Sequence, residues 1–558
     1  MNFYSLDEDL KTILKKQLDD SMFSWAEEQL TEFGRKCGEE IDERAVHTDR
    51  EGQPRLIKYD QMGEDISEVW VNEGYKKTVE ETYKEGIVGY IHKPIPDLNR
   101  KGNYTYSFAQ GYLLSQAEPG FYCPVTLTMA TAYLIEHYAS EEIKNKYFPH
   151  VISTGEVELY EGATFLTERQ GGSDVGANKV KAVKEKNIYR IYGEKYFASN
   201  AGMCGVAMVL ARIEGAGEGT KGLSLFLVPW RKDDGKLNGV SIRRLKDKLG
   251  VRAVPSAEVE FQGAEAYLIG EADQGFYYMI EALNLSRVCN AVASIGIMRR
   301  AYLEAELYAN KRTAFGQKLI QYPMIQDTLV RMRVKQETET SSVFKMVEMF
   351  DQAARFPRER SHKEQVINRL LIAIMKKETA EQSIHFSHEA IEMHGGNGFI
   401  EDFVTPRLLR DAQVLTVWEG TANILGLEVL RLLNKFKAHK LFFEDMKGVL
   451  NRISILPSEK QMVEESIHET DQFIDSVLAM TQETQTYYSK KIAKKLADLY
   501  EGAHALSRAD ENDRKRKVAE VFISMTFGQE LPLQDPLSLK YAEDVLETAD
   551  DFVNKKLM

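Results

Sequence analysis

Cysteine is scarce in this sequence. Its 558 residues include only four, at Cys37, Cys123, Cys204 and Cys289. Cysteines this few and this scattered form neither a disulfide framework nor a CxxC metal site. Small buried thiols are typical of proteins from a reducing compartment, so we expect all four to be free and buried.

Long apolar runs are also missing. The longest uninterrupted stretches, such as Leu370–Met375, fall far short of the roughly 20 residues that span a bilayer. The opening MNFYSLDEDL has neither a basic start followed by an apolar run nor the arginine-rich composition of a transit peptide. We therefore expect a cytoplasmic protein, or a mature form from which a targeting segment has been removed.

An excess of positive charge is absent. The chain has 72 Lys and Arg against 85 Asp and Glu, which gives a net charge of −13. Such a surface repels a phosphate backbone unless a basic patch is segregated from the rest. Apolar residues make up 43% and charged residues 28%, which excludes a disordered chain and a fibrous repeat. The length predicts three or four domains.

Three common site signatures do not occur either. In GAGEGTKG (215–222) Lys221 follows Thr220 rather than a glycine, and strand candidates lie on both sides, so we predict a hairpin loop and no nucleotide loop. His385 and His388 lie three residues apart without an HExxH sequence, and we predict no metal site there. A GxSxG motif is missing, which argues against an α/β-hydrolase.

The hydrophobic periodicity divides the chain into four regions. Helical spacing dominates residues 1–155, where Leu10, Ile13, Leu14 and Leu18 share one face. Alternating or apolar strand candidates fill residues 156–270 without intervening helices, which predicts an antiparallel sheet or barrel. Helical spacing returns in 271–435, where residues 363–393 fit one long helix or two, and again in 436–558. The fold class is therefore α+β and multidomain.

Four further segments carry chemical information when they are taken together. They are FLTERQGGSDVGAN (165–178), EKYFASNAG (194–202), NKRTAFGQKLIQYPMIQ (310–326) and EMHGGNGFIEDFVTPRLLRDAQVLTVWEGTANI (392–424). In this order and spacing they resemble the acyl-CoA dehydrogenase family, over about residues 60–435. The resemblance implies an N-terminal helical domain, a middle antiparallel β domain and a C-terminal four-helix bundle. Residues 436–558 add a helical domain found only in some branches.

The resemblance implies FAD as the cofactor. Glycines let a backbone approach an anionic group, and hydroxyls and amides hydrogen-bond a flavin edge or a pyrophosphate. By resemblance, Thr167 faces the flavin ring, Ser173 lies on the pyrophosphate side, Phe197 lies against the isoalloxazine and Ser199 lies near N5, and Gly172 is a further cofactor-binding residue. The resemblance also implies that FAD is contacted by Arg312, Phe315, Gly395, Gly396, Thr421 and Asn423. The family often has Thr where this chain has Ala314, so one adenosine-side hydrogen bond is missing.

Glu419 matches the general base of the family. The implied reaction removes a proton α to a thioester carbonyl while the β hydride passes to flavin N5. Arg252, in KLGVRAVPSAEVEF (248–261), matches a position near the mouth of the active site and is a weaker substrate-side candidate. The family also implies electron-transfer flavoprotein as the electron acceptor, with oxygen as the alternative, a homodimer or homotetramer, and a place in fatty acid β-oxidation.

A second hypothesis concerns DNA. Details such as RRLKDKLGVRAVPSAEVEF and VWEGTANI are most similar to the alkylation-response branch, whose C-terminal domain binds double-stranded DNA through basic residues. Residues 436–558 contain 17 Lys and Arg against 22 Asp and Glu, with basic clusters at Lys490–Lys495 and Arg514–Lys517. Phosphate contacts dominate DNA affinity, so this acidic tail favours dehydrogenation over DNA binding.

Overall fold

The computed structural model describes residues 1–355, 361–528 and 536–547. The chain forms two compact units: Glu28–Cys289 is one, and Met1–Glu27 with Asn290–Met558 is the other. All four cysteines are buried thiols, as the sequence predicts. Among the described residues, no helix combines the length and the apolar character needed to cross a membrane.

The N-terminal region is helical, as its periodicity predicts. Its helices are α1 (Glu8–Gln17), α2 (Asp20–Lys36), α3 (Asp42–Arg50), α4 (Glu73–Lys84), α5 (Gly89–His92), α6 (Tyr104–Ala117), α7 (Pro119–Tyr138) and α8 (Glu141–Val151). Two small hairpins lie between them: β1 (Arg55–Tyr59) with β2 (Asp65–Trp70), and β3 (Pro94–Ile95) with β4 (Arg100–Lys101). Helix α6 is buried along its whole length, which explains why its sequence lacks a polar face.

A seven-stranded sheet forms the centre of the unit Glu28–Cys289. Its strands are β5 (Gly162–Phe165), β6 (Lys181–Glu185), β7 (Ile188–Ser199), β8 (Val206–Ile213), β9 (Leu223–Pro229), β10 (Val240–Leu245) and β11 (Ser256–Ile269). The order is β10-β11-β7-β6-β8-β5, and β9 pairs with both β8 and β11, so that the strands close on themselves. Strand β9 is buried throughout.

The sequence predicts an antiparallel sheet or barrel; the strands close on themselves as in a barrel, but their pairing is mixed. Strand β8 runs parallel to β5, with Thr164 opposite Met208, and parallel to β6, with Lys181 opposite Arg212. The other pairings are antiparallel. The chain reverses once in the hairpin between β6 and β7 and again between β7 and β8, so that β8 runs in the same direction as β5 and β6.

The second unit is helical. After α9 (Gly275–Lys311), which crosses the division between the units, it contains the hairpin of β12 (Thr313–Ala314) and β13 (Gln317–Lys318). Its bundle helices are α10 (Pro323–Arg355), α11 (His362–His394), α12 (Thr405–Leu415) and α13 (Ala422–Phe436). The tail adds α14 (Ala438–Leu450), α15 (Pro457–Leu478), α16 (Gln482–Ser507), α17 (Asp513–Phe527), α18 (Leu537–Lys540) and α19 (Ala542–Val545). Residues 363–393 therefore lie in one long helix.

A buried ionic cluster joins the tail to the bundle within this unit. The Lys335 ammonium of α10 lies 2.9 Å from Glu339, 3.1 Å from Glu378 of α11 and 2.6 Å from Glu501 of α16. The three glutamates are almost completely buried. Burial raises the pKa of Glu339 to about 7, so this carboxyl group is partly protonated near neutral pH. The protonation reduces the negative charge that the three glutamates place around Lys335.

Candidate active site

The first group of candidate residues lies on the glycine-rich segment (residues 166–180) between β5 and β6. The Asn178 side-chain amide donates to the Leu166 carbonyl at 2.8 Å, and the Tyr196 N–H of β7 donates to the Thr167 carbonyl at 2.9 Å. A Cβ added at Gly172 would lie 2.6 Å from Thr167 Oγ1, so a larger residue here would displace the Thr167 hydroxyl. Gly172 and Ser173 are exposed, and Thr167 is half-buried.

A β-bulge in β7 places the aromatic candidate. Lys195 pairs with Val259 and Ala198 pairs with Ala257, so Tyr196 and Phe197 together face a single residue of β11. The extra residue reverses the alternation of the strand. Lys195 is completely buried, whereas Phe197 is 54% exposed. Further along β7, Ser199 Oγ lies 3.2 Å from Ser256 Oγ. The bulge therefore turns Phe197 outward from the sheet.

Glu419 lies in the short turn between α12 and α13. Its backbone has a φ of 53°, and Gly420 follows with a φ of 109°. The carbonyl of Gly420 accepts a hydrogen bond from the buried Lys376 ammonium at 2.8 Å. The Asn290 amide donates both to Glu419 Oε2 and to the Leu415 carbonyl, each at 3.1 Å. This half-buried carboxylate is thus fixed by a neutral donor from α9.

Sequence reasoning did not find Asn290 or Lys376. Asn290 stands 129 residues before Glu419. Lys376 directly follows the apolar run Leu370–Met375 of α11 and precedes Lys377 and Glu378, so the sequence indicates an ordinary polar helix residue. The position of Lys376 at the end of this apolar run is a weak signal of burial, and lysine is seldom buried unless it is paired.

The other candidates of the helical unit are exposed. Phe315 has a φ of 48° and Gly316 a φ of 90°, which gives the β12–β13 hairpin a tight turn with a 99% exposed phenylalanine at its tip. Arg312 is exposed at the start of this hairpin. A Cβ added at Gly395 or Gly396 would meet nothing within 4 Å. Thr421, the N-cap of α13, and Asn423 are also exposed.

Arg252 is held within its own unit. Its guanidinium donates to the Lys248 carbonyl at 3.3 Å and to the Asp49 carbonyl at 3.4 Å, and it lies 3.9 Å from the Asp49 carboxylate. The candidates therefore fall into two groups. Those in Glu28–Cys289 are Thr167, Gly172, Ser173, Phe197, Ser199 and Arg252; those in the helical unit are Arg312, Phe315, Gly395, Gly396, Glu419, Thr421 and Asn423.

The second basic cluster of the tail is occupied by internal ion pairs. Arg514 lies 2.7 Å from Glu337, and Lys515 is buried against the same carboxylate. Arg516 pairs with Asp513, and Lys517 lies 2.8 Å from both Asp513 and Asp544. Each of these cations therefore already has an acidic neighbour within the chain.

Comparison with known proteins identifies the chain. Three family models match: the N-terminal domain of the adaptive response protein AidB over residues 1–155, and the acyl-CoA dehydrogenase middle and C-terminal domains over 163–264 and 273–433. Acyl-CoA dehydrogenase family member 11 of Caenorhabditis elegans is 30% identical over 96% of this chain and 88% of its own length. The chain belongs to the acyl-CoA dehydrogenase family. The family prediction and the fold prediction are confirmed.

Further relatives support the branch and the fold. The putative acyl-CoA dehydrogenase AidB of Escherichia coli is 30% identical over 74% of this chain and 75% of its own length. The crystal structure of Caenorhabditis elegans ACDH-11 in complex with C11-CoA has a TM-score of 0.87 at 28% identity, covering 95% of this chain and 92% of that one. The acyl-CoA dehydrogenase from Bacillus anthracis complexed with FAD has a TM-score of 0.69 at 22% identity, covering 87% and 85%, and shows the shared fold.

Family membership makes the protein an oxidoreductase with FAD as its cofactor, as predicted. The donor set fits that group. The Gly172 position leaves space where a side chain would fill it, and the hydroxyls of Thr167 and Ser173 lie on the same segment. Arg312 offers an exposed guanidinium suited to a diphosphate, and Phe197 offers an exposed ring suited to a flat heterocycle.

Proposed function

We propose that this protein catalyses α,β-dehydrogenation of an acyl-CoA thioester, with Glu419 as the general base. The observation that carries the proposal is the fixed, half-buried carboxylate of Glu419 in a left-handed turn, held by the amide of Asn290. Such a backbone conformation is costly for a residue other than glycine and is typical of functional sites. The relative solved with C11-CoA supports a CoA thioester as the substrate.

Glu419 takes the proton from the α carbon of the substrate. The chemistry that FAD would supply when bound is a two-electron acceptor for the hydride of the β carbon, and loss of the α proton and the β hydride leaves an α,β-unsaturated thioester. The Asn290 amide orients the carboxylate for this step through its hydrogen bond to Oε2. Lys376 fixes the adjacent Gly420 carbonyl and with it the turn that presents the base.

The FAD contacts belong to the same proposal. We assign Thr167, Gly172 and Ser173 to the flavin ring and pyrophosphate, Phe197 and Ser199 to the isoalloxazine, and Arg252 to the mouth of the substrate site. Arg312, Phe315, Gly395, Gly396, Thr421 and Asn423 complete the set. Hydroxyl donors near the flavin edge stabilise the negative charge that reduction places on the ring.

The partners and the cellular role are likewise proposals. Electron-transfer flavoprotein is the acceptor we favour, in fatty acid β-oxidation in the cytoplasm. We also propose a homodimer or homotetramer. DNA binding is the weaker alternative, because the cluster Arg514–Lys517 is engaged in internal ion pairs.

The test is Glu419→Gln, which keeps the volume and removes the base. Under anaerobic conditions we expect reduction of the bound FAD by acyl-CoA to slow by at least about two orders of magnitude, the usual contribution of a general base. The FAD content should not change. Glu469→Gln, which removes an exposed carboxylate from α15, is the matched control. Unchanged reduction kinetics in Glu419→Gln would contradict the assignment.

A further inference from the structure

Lys195 is a completely buried lysine in strand β7. Its ammonium lies 2.9 Å from Glu168 Oε1 and 3.1 Å from the Leu166 carbonyl. Burial lowers the pKa of Lys195 to about 8, although Glu168 opposes this effect. A buried charge is expensive, and a buried ion pair adds little to stability compared with apolar residues of the same volume. The pair therefore requires an explanation beyond stability.

Glu168 extends the contact to the far end of the glycine-rich segment. Its Oε2 accepts the Lys179 N–H at 2.7 Å, and its Oε1 accepts the Val180 N–H at 3.1 Å. The Leu166 carbonyl, at the near end, accepts from both Lys195 and Asn178. Lys195 thus contacts the start of the segment directly and its end through one carboxylate.

The segment between these anchors is costly to order. It contains Gly171, Gly172 and Gly176, and glycine loses more backbone freedom on ordering than any other residue. Its outer residues, Gly172 and Ser173, are exposed and receive little support from packing. The two anchored ends therefore determine much of its shape.

We propose that Lys195 is a positioning residue that holds the glycine-rich segment, through Glu168 and the Leu166 carbonyl, in the shape that receives the flavin. Because of the bulge at Tyr196–Phe197, strand β7 presents these two side chains to opposite sides. Lys195 points inward and anchors the segment, and Phe197 points outward. The inference rests on the proposed function, which assigns Thr167, Gly172 and Ser173 to FAD.

The test is Lys195→Met, which keeps the length of the side chain and removes the ammonium. In cofactor-free protein we expect faster hydrogen exchange of the backbone amides of residues 166–180 than in the original protein. We expect FAD to bind about tenfold or more weakly, which corresponds to the loss of one charge-assisted hydrogen bond. Lys184→Met removes an exposed lysine from the neighbouring strand β6 and should change neither quantity.

A merely structural role would lower the unfolding midpoint and leave the FAD affinity and the visible spectrum of the bound flavin unchanged. Glu168→Gln is the second variant if Lys195→Met does not fold, because it keeps the volume and an acceptor oxygen. Native FAD affinity in a folded variant of either kind would overturn the inference. If the original protein itself binds no FAD, the proposed placement of the cofactor is refuted. Hydrogen exchange of residues 166–180 would still test whether Lys195 holds the segment.

Discussion

Glu161 offers a prediction whose size follows from the structure. This residue precedes β5 and is buried, and its carboxyl group accepts a hydrogen bond from the Tyr83 hydroxyl at 3.0 Å. The Tyr83 oxygen also lies 2.9 Å from Thr128 Oγ1. Burial raises the pKa of Glu161 to about 7, although hydrogen bonds from Tyr83 and Asn200 oppose this effect. The perturbation is Glu161→Gln, which cannot titrate.

The direction follows from proton binding. The carboxyl of the unfolded chain has its ordinary pKa of 4.5, so between pH 4.5 and 7 the folded protein binds more protons than the unfolded one. The free energy of unfolding therefore falls as the pH rises through this window. Above pH 7 the full destabilisation by the buried, ionised Glu161 carboxylate is present. The difference between 4.5 and about 7 corresponds to roughly 3 kcal/mol.

The assay is denaturant unfolding of the original protein and of Glu161→Gln between pH 5 and pH 8. The stability of the variant relative to the original protein should increase with pH, by up to about 3 kcal/mol. Glu158→Gln, which removes an exposed carboxylate three residues earlier, is the control for loss of a carboxylate from this segment. A pH-independent difference for Glu161→Gln would refute the reasoning.

Two further predictions concern the helical unit. Lys335→Met leaves Glu339, Glu378 and Glu501 buried without their shared ammonium. We expect a loss of about 3–5 kcal/mol in the free energy of unfolding, measured by denaturant titration. An unchanged unfolding midpoint would contradict the stabilising role of this cluster. Asn290→Leu removes the amide that orients Glu419. We expect slower reduction of the flavin by acyl-CoA and an unchanged FAD content. Reduction rates equal to those of the original protein would show that this hydrogen bond does not orient the base.

The sequence predicts the order of the regions because hydrophobic periodicity is a local property. The change from a period near 3.6 to a period of 2 and back marks the helical, β and helical regions, and the structure has them in this order. The predicted boundaries at residues 155, 270 and 435 remain predictions. The parallel pairing of β8 with β5 and β6 depends on how the chain crosses between strands, which no local pattern contains.

In the candidate site, too, short sequence motifs are predictable, whereas contacts between residues distant in sequence are not. The glycine-rich and aromatic motifs are visible in the sequence because each of them lies in a short segment. The exposure of Phe197 depends on a bulge, which inserts one residue against β11 and reverses the alternation. The partners of Lys195 and Glu419 are distant in sequence, at Glu168 and Asn290, so only the folded chain brings them together.

The central claim is that the protein dehydrogenates an acyl-CoA thioester. The most direct measurement is an anaerobic titration of the FAD-loaded protein with short, medium, long and branched acyl-CoAs, following the loss of the visible absorbance of the flavin. Rapid bleaching with at least one chain class is the predicted result, and that class identifies the substrate. Protein that holds FAD and is reduced by dithionite, but is bleached by none of these thioesters, would contradict the claim.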